Sequence, residues 1–196
     1  MPCTLIRLAG CPLRCRYCDT PKAIPTDSGQ LIPIDTIMQQ VRAAQRPLIL
    51  LTGGEPLAQR HAVTLLEQLL QCNAIVQVET SGAYSVTHLP AGVRRIIDLK
   101  TPGSGEADKN HMENLNNLRS GDEIKLVLGD AADYQWAKSI IDRYQLGRSD
   151  VPVLLSPVWG ELAASELCSW ALRDNLPVRI QMQLHKTIWG AEAEGV

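Results

Sequence analysis

Seven short segments rich in aliphatic and β-branched residues run through the chain, and helix-like segments separate most of them. The predicted strands cover residues 4–8, 48–51, 75–79, 95–98, 123–128, 151–155 and 178–182. Strands that alternate with helices are typical of right-handed β-α units around a largely parallel sheet. A closed barrel of eight such units takes about 250 residues. Because this chain has 196 residues, we predict one α/β domain over residues 1–196, folded as an open, incomplete (β/α) barrel.

The segments between the predicted strands carry apolar residues at the spacing of one helix face. Helices are predicted over residues 34–45, 111–118, 131–144 and 161–173. A further helix has His61 on its first turn and carries Val63, Leu66, Leu69 and Leu70 inward. The last strand is followed by residues 183–189, which are predicted to form a short tail.

Acidic and basic residues nearly balance, with 19 Lys and Arg against 21 Asp and Glu and no basic run. A nucleic-acid binder would carry a basic patch, so the composition argues against direct nucleic-acid binding and favours a small-molecule substrate. Neither a signal-peptide pattern nor an apolar run long enough to span a bilayer is present in the sequence. We therefore expect a cytoplasmic protein with reduced thiols and no membrane partner.

Three cysteines, Cys11, Cys15 and Cys18, stand close together directly after the first predicted strand. Spacings of three and two residues allow three thiolates to wrap around one inorganic centre. Because no histidine stands at ligand spacing nearby, one position of the metal centre is left open, as in sites where a metal binds a reactant. A disulfide with a spare thiol, or a zinc site with a distant fourth ligand, is the alternative.

Further polar residues follow the other predicted strands, at the end of a parallel sheet where chemistry gathers. They include Gly53, Gly54 and Glu55, then Glu79, the segment 98–100, Ser156 and His185. The two glycines would let the backbone approach a ligand closely, and Glu55 could accept hydrogen bonds from an ammonium or hydroxyl group. Glu55 could equally begin a helix in which Pro56 takes the first position.

The Cys-x-x-x-Cys-x-x-Cys loop after the first strand and the Gly-Gly-Glu-Pro loop after the second resemble the radical S-adenosylmethionine (SAM) superfamily. The resemblance implies a barrel of the radical SAM type and a [4Fe–4S] cluster held by Cys11, Cys15 and Cys18. It also implies that SAM chelates the remaining iron and is cleaved reductively to a 5′-deoxyadenosyl radical.

Six segments narrow the resemblance to the 7-carboxy-7-deazaguanine synthase family of queuosine biosynthesis. They are residues 7–11, 17–20, 52–56, 79–82, 98–102 and 183–186. This likeness implies a lyase that converts 6-carboxy-5,6,7,8-tetrahydropterin to 7-carboxy-7-deazaguanine with loss of ammonia, for tRNA modification. Two alternatives are a glycyl-radical activating enzyme of the same superfamily and a zinc-binding or redox scaffold without turnover. A glycyl-radical activating enzyme has no reason to carry Arg7, Thr20 and His185 together.

The family likeness assigns a role to each matching position. SAM contacts fall on Tyr17, Cys18, Asp19, Gly54, Glu55, Asp98, Leu99, Lys100 and Ser156, substrate contacts on Arg7, Thr52, Glu79 and His185, and Mg²⁺ binding on Thr20. An arginine guanidinium suits a substrate carboxylate, and a hydroxyl oxygen suits Mg²⁺. The likeness further implies a homodimer and an electron donor of the reductase or flavodoxin type. Family members begin with a further strand and a Gln-Gly-Glu-like segment, which we expect this chain to lack.

Overall fold

The computed structural model describes residues 1–147 and 150–191. Its strands form one seven-stranded sheet whose order follows the chain and whose neighbours are all parallel. The strands are β1 (Cys3–Leu8), β2 (Leu48–Gly53), β3 (Ile75–Thr80), β4 (Arg94–Leu99), β5 (Glu123–Leu128), β6 (Val153–Pro157) and β7 (Val178–Ile180). Among the described residues β1 and β7 do not pair with each other, which confirms the open α/β barrel.

Within the described residues, five α-helices accompany the sheet. They are α1 (Ile34–Ala44), α2 (Ala62–Leu69), α3 (Ala131–Tyr144), α4 (Ala164–Arg173) and α5 (Leu184–Trp189). The predicted helix over 111–118 is a 3₁₀ helix, Met112–Asn117. The prediction of a tail after β7 is wrong, because residues 184–189 form α5. None of the described helices has the length and apolar character that a membrane crossing requires.

The two faces of the sheet differ in polarity. In β3, β4 and β5 every second residue points towards the helices and is fully buried, as Val78, Ile97 and Leu126 illustrate. The alternate residues face the concave side, where Glu79 near the end of β3 and Lys125 in the middle of β5 line a cavity. The apolar face supplies the core that stabilises the fold, and it leaves the concave face free to carry polar groups.

Candidate active site

A cavity of about 680 Å³ lies on the concave face at the carboxyl ends of the strands. It is lined by most of the predicted site residues, namely Arg7, Cys11, Cys15, Tyr17, Cys18, Asp19, Thr20, Thr52, Gly54, Glu79, Asp98, Lys100, Ser156 and His185. The side chains of Glu55 and Leu99 do not line it. Parallel strands bring these positions together although the chain spreads them over nearly its whole length.

The three clustered cysteines, Cys11, Cys15 and Cys18, are free, half-buried thiols that all line the cavity. Burial raises the pKa of the Cys11 and Cys15 thiols. In residues 1–147 and 150–191, no three His, Cys, Asp or Glu side chains are grouped closely enough to hold a single metal ion. An iron–sulfur cubane takes its thiolates at separate irons, so three thiols around one cavity suit a cluster better than a lone zinc ion.

Polar contacts fix the loop that carries these cysteines, residues 11–18. The Arg14 guanidinium donates to the carbonyl oxygen of Cys11 at 2.8 Å. Arg16 forms a bidentate ion pair with Glu161, with N···O distances of 2.8 and 2.9 Å, and its backbone N–H donates to the Ser104 carbonyl at 2.9 Å. These contacts thus stabilise the loop internally and connect it to the loops that follow β4 and β6.

Tyr17 anchors the same loop from the inside. Its hydroxyl donates to the Val127 carbonyl oxygen at 2.9 Å and lies 3.0 Å from Thr101 Oγ1. Burial raises the pKa of Tyr17 to about 12, so the hydroxyl keeps its proton at neutral pH. Tyr17 therefore connects the cysteine loop to β5 through a neutral hydrogen bond.

We expect Tyr17→Phe to lower the free energy of unfolding by about 1 kcal/mol, because one partly buried hydrogen bond is lost. It should also speed the release of iron from reconstituted protein to a chelator, since the cysteine loop loses an anchor. Chelator absorbance over time measures the release, and Tyr84→Phe, on an exposed tyrosine, is the matched control. Equal iron release from the wild type and Tyr17→Phe would show that the hydroxyl is not an anchor.

The two glycines of the second loop pack against the backbone at the end of β1, just before the cysteine loop. The Gly54 N–H donates to the Leu8 carbonyl at 2.9 Å, and the Glu55 N–H donates to the Gly10 carbonyl at 2.8 Å. A Cβ on Gly54 would lie 2.4 Å from the Gly10 oxygen, and one on Gly53, which has a φ of +156°, would lie 2.2 Å from the Leu8 oxygen. The absence of a side chain at these glycines therefore lets two backbone segments of the same chain approach each other closely. Gly54 also borders the cavity.

The Glu55 carboxylate is completely buried and satisfied by donors of the chain. One oxygen accepts from the Leu57 N–H and the Thr80 hydroxyl, both at 2.8 Å. The other accepts from the N–H and hydroxyl of Ser81. Glu55 thus joins the loops after β2 and β3, and it caps the 3₁₀ turn that begins at Pro56. The Leu99 side chain is buried in the core.

Two ion pairs form what we call the charged floor of the cavity, Glu79, Asp98, Lys100 and Lys125. Lys100 Nζ lies 2.9 Å from Asp98 Oδ2, and Lys125 Nζ lies 2.6 Å from Glu79 Oε1. Asp98 is 9% exposed, and its Oδ1 is buried with no hydrogen-bond partner among the described residues. A buried carboxylate oxygen without a donor is costly, so this atom fits a ligand that brings hydrogen-bond donors into the cavity.

Both lysines of the charged floor remain protonated. Burial alone would lower the pKa of Lys100, but the negative charge of Asp98 outweighs it and raises that pKa. At Lys125, burial again lowers the pKa, but the carboxylates of Glu79 and Asp98 outweigh it, so the pKa of Lys125 is raised as well. The pattern of residue types did not single out Lys125, because a lysine within an apolar strand looks like a solvent-facing residue.

A chain of polar contacts crosses the rim of the cavity between the sheet's two edges. Arg7 on β1 lies 3.5 Å from the Thr20 hydroxyl, which donates to Asp19 at 3.0 Å. Gln183, just after β7, donates to the other Asp19 oxygen at 2.8 Å. His185 lines the cavity from α5, and on the inner wall the Ser156 hydroxyl donates to a backbone carbonyl.

The fold is similar to that of a solved structure. Streptococcus suis SuiB, in a crystal structure bound to S-adenosylmethionine, superposes with a TM-score of 0.62 at 9% sequence identity. The match covers 95% of this chain and 52% of SuiB, so the chain spans about half of that protein, and at this identity it concerns the fold. Residues 5–100 match the family model described as the Radical SAM superfamily. The open parallel barrel with its three-cysteine loop is that of a radical SAM enzyme.

Curated relatives narrow the family further. A 7-carboxy-7-deazaguanine synthase from Chlorobaculum tepidum is 42% identical over 100% of this chain and 89% of its own length. A protein of the same name from Koribacter versatilis is 37% identical over 100% of this chain and 92% of its own length. Another from Methanospirillum hungatei is 34% identical over 95% of this chain and 77% of its own length. The chain belongs to the 7-carboxy-7-deazaguanine synthase family.

Proposed function

We propose that the protein is a radical SAM lyase that converts 6-carboxy-5,6,7,8-tetrahydropterin to 7-carboxy-7-deazaguanine with loss of ammonia. The reaction would supply the deazapurine that is used for queuosine in tRNA. The observation that carries this proposal is the convergence of the cysteine loop, Arg7, Thr20 and His185 on one cavity in a chain 42% identical to a synthase of this name.

The cofactors of the family are a [4Fe–4S] cluster and SAM, and the cavity fits both. Cys11, Cys15 and Cys18 would hold the cluster, which supplies one electron for the reductive cleavage of SAM. The Asp98 oxygen that has no donor among the described residues would accept hydrogen bonds from SAM, and the ion pair with Lys100 holds that carboxylate in place. Gly54, Ser156 and the backbone of residues 17–19 would complete the SAM contacts.

The substrate would lie between β1, β2 and the charged floor. Arg7 and Thr52 are register partners on neighbouring strands. Among the described residues the Arg7 side chain makes one long hydrogen bond, so its guanidinium can still bind the pterin carboxylate. Glu79 and His185 would contact the ring from the other sides. Thr20, whose hydroxyl lies beside the Asp19 carboxylate, would offer an oxygen ligand to Mg²⁺.

Assembly and electron supply belong to the same proposal. We infer that the 196 residues act as one cytoplasmic domain, that it forms a homodimer, and that a reductase or flavodoxin-type protein donates the electron. Support for a dimer comes from α5 beside the edge strand β7, where Leu184 and Trp189 are 64% and 57% exposed. Exposed apolar side chains next to an unpaired strand edge are typical of an interface.

The decisive experiment is turnover by protein reconstituted anaerobically with iron and sulfide. We expect the loaded protein, given reductant, SAM and the carboxy-tetrahydropterin, to release 7-carboxy-7-deazaguanine and ammonia, with SAM regenerated rather than consumed. Mass spectrometry measures the product, and reactions without SAM or reductant are the controls. A fully loaded protein that cleaves SAM, leaves the pterin unchanged and transfers hydrogen from a partner's glycine would instead be an activating enzyme.

A further inference from the structure

Lys125 is the member of the charged floor that has no role in the proposed function. It lies on the cavity side of β5, between Ile124 and Leu126, whose side chains are fully buried on the helix side. Its register partner on β4 is Asp98, whereas Glu79 is on β3, one strand further. The Lys125 side chain therefore crosses β4 to place its ammonium 2.6 Å from Glu79.

The hydrogen bond to Lys125 is the one polar contact that the Glu79 side chain makes within the described part of the chain. It occupies Oε1 and leaves Oε2 free at the cavity wall. Both side chains are partly buried, with 22% of Lys125 and 24% of Glu79 exposed. The hydrogen bond from the Lys125 ammonium therefore restrains the otherwise flexible Glu79 side chain.

The same ammonium separates two carboxylates. Glu79 and Asp98 project from neighbouring strands into one cavity, and Lys100 pairs with Asp98 alone. With Lys125 in place, two positive and two negative charges alternate on the floor. Without it, two carboxylates would share one ammonium in a partly desolvated site, and repulsion from Asp98 would push the Glu79 carboxylate out of its position.

We infer that Lys125 is a positioning residue for substrate binding, which holds the Glu79 carboxylate so that its second oxygen accepts hydrogen bonds from the N–H groups of a pterin-like heterocycle. The inference rests on the proposed function, since it concerns the substrate of the same cavity. It assigns Lys125 no contact with the reacting atoms.

The test compares Lys125→Met with the wild type, both loaded with cluster. A charged hydrogen bond that positions a ligand group is worth about 10- to 100-fold in binding. We expect the KM for the carboxy-tetrahydropterin, and its Kd from anaerobic calorimetry, to rise by about that factor. The kcat and the change that SAM causes in the cluster's electron paramagnetic resonance spectrum should stay as in the wild type. Lys125→Arg should recover most of the substrate affinity.

Two further variants test whether Lys125 acts through Glu79. The single variant Glu79→Gln and the double variant Glu79→Gln/Lys125→Met should bind substrate equally weakly. Once the Glu79 carboxylate is absent, Lys125 has no carboxylate to position, so its loss adds nothing. Lys109→Met, which removes an exposed lysine paired with Asp108, should bind like the wild type.

Each outcome separates the inference from the proposed function. Wild-type protein with an intact cluster and no product would overturn the proposed function. An active wild type with an unchanged Kd in Lys125→Met would overturn only the role of Lys125. Additive losses in the double variant, or a loss of SAM binding in Lys125→Met, would likewise exclude a role through Glu79.

Discussion

Cys15→Ala is expected to fold like the wild type and to reduce turnover to background. Cys15 is a half-buried loop residue, and the alanine would leave the contacts of Arg14 and Arg16 in place. A cubane needs thiolates from the protein at three irons, so two remaining cysteines should hold it poorly. Iron and acid-labile sulfide per chain measure the loss, and far-UV circular dichroism reports on the fold.

Cys72→Ala is the matched control for this experiment. Cys72 is also a free, half-buried thiol, but it does not line the cavity. It should therefore load with as much iron as the wild type and turn over at the same rate. Full cluster content in Cys15→Ala would refute the cysteine site, and zinc instead of iron in the wild type would favour a scaffold protein.

The sequence predicts the fold well where local signals and the hydrophobic pattern agree. The bounds of α3, residues 131–144, match the prediction, because Asp130 caps the helix through the Asp133 N–H and Gln145 ends it in the left-handed conformation. α5 was missed because it has six residues, no side-chain cap at its start and exposed apolar residues. A segment of this kind shows neither a capping signal nor a buried face.

The sequence predicts which positions form the candidate site, but it does not predict the contacts that their side chains make. Polar residues that follow parallel strands must meet at one end of the sheet, which is why chain order alone brings Arg7 and His185 into one cavity. Which groups a carboxylate contacts depends on hydrogen-bond donors from loops that are distant in the sequence. Glu55 looked like a ligand contact, and only the fold reveals that Thr80 and Ser81 occupy its oxygens. Lys125 shows the converse, a strand residue whose partner lies two strands away.

Asp122→Asn should be among the most destabilising single substitutions in the protein. Arg95 on β4 is completely buried, and its guanidinium is paired with the Asp122 carboxylate through two nitrogens. Asp122 also accepts hydrogen bonds from the backbone N–H groups of Arg95 and Arg119, at 3.1 and 2.7 Å. Asparagine keeps the shape but leaves the arginine charge uncompensated, which costs about 3–5 kcal/mol. Urea unfolding followed by circular dichroism measures the change.

The magnitude follows from where the pair lies. Buried away from water, the guanidinium has no solvent to replace the lost carboxylate, and its remaining acceptors are the carbonyls of Val86 and Asn117. Asp108→Asn is the matched control, because it neutralises an aspartate whose partner Lys109 is exposed, where solvent screens the loss. Its unfolding midpoint should equal that of the wild type. A shift of the same small size in both variants would mean that water reaches Arg95, and that the core beneath β4 is less tightly closed than its burial indicates.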